Sequence, residues 1–187
     1  MFKGVRDATS LIRAARADDV ASMQALEKNA AQAYVFSPNH AFCVHLPVRT
    51  ASEHAQVQRT GIALIVEIWG RPAGFLLVLP IDGRAHILEA AVALAHQRHG
   101  CGRRLFATAE AWALQHGFAE MTLTTFRGVP WNAPFYGRLG YSIFEPDEGR
   151  RGLRAIIEDE AASGVAQAPR VAMYKILDIP HPRDGSR

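Results

Sequence analysis

Apolar and polar positions follow two periods along this chain. Nearly continuous apolar or alternating runs at 11–15, 61–69, 73–79, 87–94, 119–126, 141–144 and 170–177 predict strands. Helical spacing takes over elsewhere. Val20, Met23, Leu26 and Ala30 share one face behind Asp18 and Asp19, either of which can cap a helix. Leu105, Phe106, Ala109, Trp112 and Ala113 share another face, ended by Gly117 in the manner of a C′ glycine. Phe135 to Leu139 predicts a short helix stopped by Gly140, and 152–162 a further helix carrying the acidic run Glu158-Asp159-Glu160. Between Ala31 and Thr60 the pattern weakens, with Ser37-Pro38 and Pro47 breaking it and one or two helical turns at 52–58. Residues 1–10 read as a loose lead-in and 180–187 as a polar tail, which leaves one domain over 11–178.

The order of these elements constrains the topology. Gly70-Arg71-Pro72 is a tight connection, so the strands on either side form a hairpin and the early part of the sheet is antiparallel. The helix from Arg103 to His116 then makes a crossover between strands that can be parallel. The class is α/β in the broad sense of α+β.

The most distinctive stretch is Gln97-Arg98-His99-Gly100-Cys101-Gly102-Arg103, between the apolar strand ending near Val92 and the helix of 103–116. A helix opening in this way leaves backbone N–H groups unpaired at its first turn, with the positive end of the dipole behind them. Glycines at 100 and 102 let a ligand approach the backbone without a Cβ in the way. The stretch is a seat for a phosphate or pyrophosphate.

Composition narrows the choice of partner. Of 187 residues, 49% are hydrophobic and 21% charged, the balance of a globular protein. No apolar run reaches the roughly 18 residues of a membrane helix, and no signal-peptide core follows the N-terminal residues, so a membrane is not an expected partner. Two cysteines, Cys43 and Cys101, make no disulfide framework, which points to a cytoplasmic location. A net charge of +3 suits a polyanionic small ligand and is too small to argue for nucleic acid. The turn lacks Gly-x-Gly-x-x-Gly and follows hairpins, which disfavours a dinucleotide-binding fold, and Gly-Lys-Ser/Thr is absent. His96-x-x-His99-x-Cys101 matches no common zinc spacing, so no metal is expected.

This order of elements, with Gln97-x-x-Gly100-x-Gly102 after a strand carrying Val92, resembles the GNAT superfamily (GCN5-related N-acetyltransferases). Phe135-Tyr136-Gly137-Arg138-Leu139-Gly140-Tyr141 resembles that superfamily's aromatic–Tyr-x-x-Leu-Gly-Phe/Tyr segment. Ile12-Arg13-Ala14-Ala15 and Arg170-Val171-Ala172-Met173 resemble its opening and closing strands. The resemblance implies a mixed, mostly antiparallel sheet of six to seven strands, flanked by helices on both faces, with a parallel crossover at the central strands. It implies acetyl-CoA as co-substrate and a primary amine of a small molecule or peptide as acceptor. The alternative is an acyl-CoA-binding module of the same fold without turnover. Dimerisation is common in the superfamily, so a second copy of the chain is a candidate partner.

Carried over residue by residue, the pyrophosphate falls on Arg98, His99, Gly100, Cys101, Gly102 and Arg103, mostly through backbone N–H groups, with Arg104 adding charge. Backbone groups of Ala91, Val92 and Ala93 would hold the pantetheine arm. Tyr136 matches the tyrosine that protonates the departing thiolate. Many relatives use an asparagine upstream of this tyrosine against the cofactor; here that position is Val129, and nearby Asn132 is the substitute. The acceptor amine must be neutral to attack, which requires a base. Glu89 is the candidate, because a carboxylate on an otherwise apolar strand is either paired or working, and burial would raise its pKa. Cys101 lies inside a turn that acts through its backbone, which argues against a nucleophilic role. Trp131 lies in a loop near the presumed site and is a candidate wall of the acceptor pocket.

Overall fold

Two tight turns organise the first half of the sheet. Trp69-Gly70 and Asp82-Gly83 both take positive φ at each residue, 51° and 72° in each pair. That is the signature of turns whose twist matches antiparallel strands. A computed structural model of the chain describes residues 5–7, 10–163 and 168–178, and the tail expected at 180–187 lies outside the described residues. Within it run β1 (Val5–Asp7), β2 (Ser10–Ala14), α1 (Val20–Ala31), α2 (Ala51–Thr60), β3 (Ile62–Ile68), β4 (Arg71–Ile81) and β5 (Arg84–Val92). Then follow α3 (Cys101–Gln115), β6 (Glu120–Phe126), α4 (Ala133–Arg138), β7 (Ser142–Phe144), α5 (Arg151–Ala162) and β8 (Arg170–Ile176).

The strands form one sheet in the order β1-β2-β3-β4-β5-β6-β8-β7. Among the described residues only β5 and β6 run parallel; every other neighbouring pair is antiparallel. The expected lead-in contributes Val5–Asp7 as an edge strand on β2, one strand more than the apolar runs indicate. A three-residue strand is too short to leave a period in the sequence.

Each face of the sheet carries its own core. Ile87, Leu105, Phe106, Ala109, Trp112, Met121 and Leu123 pack under α3, whereas Met23, Leu26, Val57, Ile65, Phe75, Leu77 and Ala91 pack under α1 and α2. Alternating side chains along β4 and β5 supply both faces, which is why these central strands read as unbroken apolar runs.

Helix ends follow local chemistry, with two exceptions. The Phe118 N–H bonds the Ala113 carbonyl at 2.9 Å around Gly117, and the Tyr141 N–H bonds the Tyr136 carbonyl at 3.1 Å around Gly140; both glycines have positive φ. Thr50 and Glu53 make a reciprocal capping box at α2. Asp19 does not cap α1 through its side chain. Its carboxylate instead accepts the Arg13 guanidinium at 2.7 and 2.9 Å and the Arg16 N–H at 2.6 Å, and a charged donor outcompetes a helical amide. α5 is capped from across the molecule, by Asp82 accepting from the N–H groups of Gly152 and Leu153.

Candidate active site

The site begins where the parallel pairing stops. β5 and β6 pair at Ala85–Met121, His86–Thr122 and Ile87–Leu123 and no further, although both strands continue. At the same point the β4–β5 register shifts, with Leu77 opposite Glu89 and Val78 opposite Ile87, so Leu88 is an extra residue on β5. A bulge bends its strand and increases the local twist. Beyond it, β5 stays with β4 while its other edge opens onto a cleft.

Register shows which backbone groups face that cleft. The Ala93 N–H donates to the Ala73 carbonyl of the neighbouring strand region at 2.9 Å, and the Ala93 carbonyl accepts from His96 N–H at 2.8 Å. Antiparallel pairs alternate, so Ala91 also turns its N–H and C=O toward β4, while Ala90 and Val92 turn theirs outward. Of the expected trio Ala91, Val92 and Ala93, only Val92 presents backbone groups to the open edge, and Ala90 joins it. A one-residue offset inverts the exposed edge of a strand, and sequence alone does not reveal where a bulge falls.

The glycine turn follows directly. Gln97 Nε2 donates to the outward Val92 carbonyl at 3.0 Å, tying the turn to the strand end. His99 Nδ1 lies 2.7 Å from the Gln97 carbonyl. Arg98 and Gly100 take left-handed φ of 63° and 81°, and α3 starts at Cys101. The first bond of the helix runs from Arg104 N–H to the Gly100 carbonyl, so Gly102 and Arg103 offer N–H groups that have no acceptor within the helix. At Gly102 a Cβ would meet the Phe135 ring at 3.3 Å. Arg98, His99 and Arg103 are exposed around the turn. The Cys101 side chain, only 4% exposed, is buried in the core beneath. The Arg104 guanidinium reaches back to Ser10 Oγ on β2.

Tyr136 lies on α4, its ring packed against Phe106 and Phe135 with centroids 5.3 Å away in each case. Burial holds its phenol well above the ordinary value, Tyr34 and Glu89 push in the same direction, and a hydrogen bond with Thr125, just past the split on β6, opposes them. The hydroxyl therefore keeps its proton at neutral pH. Asn132 is buried, and its Nδ2 donates to Tyr34 Oη at 2.9 Å. Tyr34 also packs against Trp131 and Phe126, both at 5.8 Å, and burial pushes its phenol up to about 12. These contacts join the segment after α1 to the loop between β6 and α4, beside the end of β6.

Glu89 projects to the face covered by α1 and α2, as alternation from Ala91 requires. One of its oxygens accepts the Ala90 N–H at 3.2 Å, and the other lies 3.6 Å from Arg49 Nε. Arg49 also donates to the Leu88 carbonyl of the bulge at 2.9 Å and approaches Glu53 at 3.4 Å. The carboxyl that burial lifts here is Glu27 of α1, pushed up to about 8, with repulsion from Glu89 adding to the effect. Glu27, Tyr34, Arg49 and Thr125 were not singled out by motif or period. Glu27 could have been, since it lies next to Met23, Leu26 and Ala30 on a helix face, the same anomaly that marks Glu89 on its strand. Tyr34 and Arg49 lie where the pattern is weak. Among the described residues, no group of three His, Cys, Asp or Glu could hold a metal ion, and no helix is long and apolar enough to cross a membrane.

A mixed sheet splayed at the one parallel seam among the described residues, with a glycine turn and helix N-terminus at the mouth and a partly buried tyrosine beside it, defines an acyltransferase-type scaffold. The chain matches the model of the acetyltransferase (GNAT) family over residues 22–141, and it belongs to that family. Solved structures share the fold at low identity. Ard1 from Thermoplasma volcanium superposes with a TM-score of 0.67 at 15% identity, over 91% of this chain and 99% of that one. The ribosomal-protein-S18-alanine N-acetyltransferase from Escherichia coli gives 0.65 at 17%, over 95% and 99%. The protein yncA from Salmonella typhimurium, solved with acetyl-CoA, gives 0.64 at 18%, over 95% and 99%.

Proposed function

We propose that the protein transfers an acetyl group from acetyl-CoA to a primary amine of a small molecule or peptide. The observation that carries this reading is the open edge of β5 leading directly into the first turn of α3. An extended arm ending in a pyrophosphate needs those two features in that order. The outward N–H of Val92 and the outward carbonyl of Ala90 pair with the pantetheine arm, and the N–H groups of Gly102 and Arg103 donate to phosphate oxygens. Arg98, His99, Gly100 and Cys101 shape the seat, and Arg103 adds charge from the exposed helix face. Asn132 and Arg104 act on the cofactor through the walls they hold, because their side chains are engaged with Tyr34 and Ser10.

Bound acetyl-CoA supplies a thioester whose carbonyl carbon takes the amine nitrogen, a C–N bond forming as the C–S bond breaks. The residues manage the protons. Glu89 accepts the proton that the acceptor must lose before its nitrogen can attack. Tyr136 holds a phenolic proton for the departing sulfur and regains one from the nitrogen, which must lose a second proton to become an amide.

The deciding experiment measures thiol release from acetyl-CoA across a panel of primary amines, with calorimetry of CoA binding beside it. Amine-dependent release is expected. CoA binding with no turnover on any amine would instead identify a non-catalytic acyl-CoA-binding module, and absence of CoA binding would overturn both.

A further inference from the structure

Three carboxylates and one guanidinium meet on the α1–α2 side of the cleft, and they are joined in an unusual way. Arg49 is the hub. Its backbone N–H lies 3.3 Å from each oxygen of Glu27, its Nη2 is anchored on the bulge carbonyl of Leu88, and its Nη1 approaches Glu53. Its Nε is buried without a hydrogen-bond partner and lies 3.6 Å from Glu89, close enough for attraction and too far for a bond. The guanidinium is thus committed to the bulge, while Glu27 and Glu89 keep unspent accepting capacity. One guanidinium among three carboxyl groups leaves an excess of acid in this half-buried cluster, and such an excess favours a further positive charge.

We infer that Glu27 is a specificity-determining residue that, with Glu89 and with Arg49 as the positioning residue between them, receives the acceptor as an alkylammonium cation. The acceptor class is then an aliphatic primary amine that is protonated in solution, in preference to an arylamine that is neutral there. Glu27 meets the ammonium as a carboxylate. Glu89 takes one proton from the nitrogen, which leaves the neutral amine required for attack. This inference rests on the acetyl-transfer reading above.

The charged groups that act on Glu27 are Glu89 from β5, Arg49 from the loop before α2, and Glu53 from α2, while β4 faces α1 with the apolar Phe75 and Leu77. His54, buried on α2 beside Arg49, is pushed down by burial and by that guanidinium. Tyr34 and Tyr136 face Glu89 as phenols. With its carboxyl lifted to about 8, Glu27 is mostly protonated at neutral pH until a cation arrives. Acceptor binding must then expel that proton, and it strengthens as pH rises.

The test uses the full-length protein and an alkylamine that stays protonated across the range. If Glu27 ionisation governs capture, wild-type kcat/KM for the amine rises about thirtyfold between about pH 6.5 and about pH 9. Glu27→Gln should lose that rise, so that its deficit against the wild type widens about thirtyfold from the acid to the alkaline end, leaving CoA affinity unchanged. A merely structural role would lower kcat/KM by the same factor at every pH. Calorimetry of alkylamine binding in buffers of different ionisation heat should show close to one proton released near pH 7 by the CoA-loaded wild type, and none by Glu27→Gln. The inference is overturned if the variant keeps the wild-type slope, if binding releases no proton, or if neutral arylamines are acetylated as efficiently as alkylamines. Failure of the transfer reading looks different, since no amine then supports thiol release by the wild type.

Discussion

At the scale of single residues, burial decides what each polar group can do. Tyr136 is the case with the clearest consequence. Its ring is held by Phe106 and Phe135, so removal of the hydroxyl should leave the packing intact. Tyr136→Phe is expected to lower kcat by about a hundredfold, within the usual range for loss of a positioned proton donor. CoA affinity by calorimetry should hold within a factor of about three. Equal turnover by the two proteins would remove Tyr136 from the donor role. Asn132 shows the converse. An exposed amide would be available to a ligand, but this one is buried and donates to Tyr34, and a buried donor that already has a partner gains little by leaving it.

At the scale of elements, α3 combines two requirements in one helix. Its far end is closed by a glycine-containing cap and its buried face is continuous from Leu105 to Ala113, so the helix is firmly anchored. Its near end stays open because Gly100, at φ 81°, lets the chain enter the helix from the left-handed region. Among the described residues, no atom beyond its chain neighbours lies within 4 Å of a Cβ added at Gly100, so a side chain there meets no clash and points to open space, where a ligand would sit. Gly100→Val should therefore cost only the left-handed strain, about 1–2 kcal/mol in a denaturant titration. The same change should reduce CoA affinity by at least about a hundredfold, a larger effect of about 2.7 kcal/mol. Normal CoA binding by this variant would show that the pyrophosphate seat lies elsewhere.

At the scale of the molecule, the sheet is two antiparallel halves, β1 to β5 and β6 to β8, joined by a short parallel seam. The seam contains a wholly buried histidine. His86 Nδ1 lies 2.9 Å from Thr122 Oγ1 across it, and burial lowers its pKa from 6.5 to about 4. The folded protein therefore resists a proton that the unfolded chain accepts. The stability this provides is complete above about pH 6.5, is lost as pH falls through the window down to 4, and levels off below it. The loss is on the order of 3 kcal/mol. Urea titrations at descending pH should show that decline in the wild type and a flatter one in His86→Gln. Parallel curves would mean that other groups control acid unfolding.

The parts legible in the chain itself were those set by neighbours in sequence. The strand ending near Val92, the turn of Gln97 to Arg103, the helix that follows and the Tyr136 to Tyr141 segment each depend on φ preference, period and capping within a few residues. These are local quantities, and they were sufficient for the class of fold and for the strand, glycine turn and helix around Gly100. Tertiary structure decided the rest. The bulge at Leu88 determined which backbone groups face the cleft, and long-range partners drew Asn132 to Tyr34 and Arg104 to Ser10. Glu27, Arg49 and Glu89 come together from α1, a loop and β5, and no spacing rule links them. Their meeting depends on how α1 and α2 lie across the sheet. A charge in such a cluster takes its pKa from neighbours that are near in space alone, which is why this grouping emerged only with the fold.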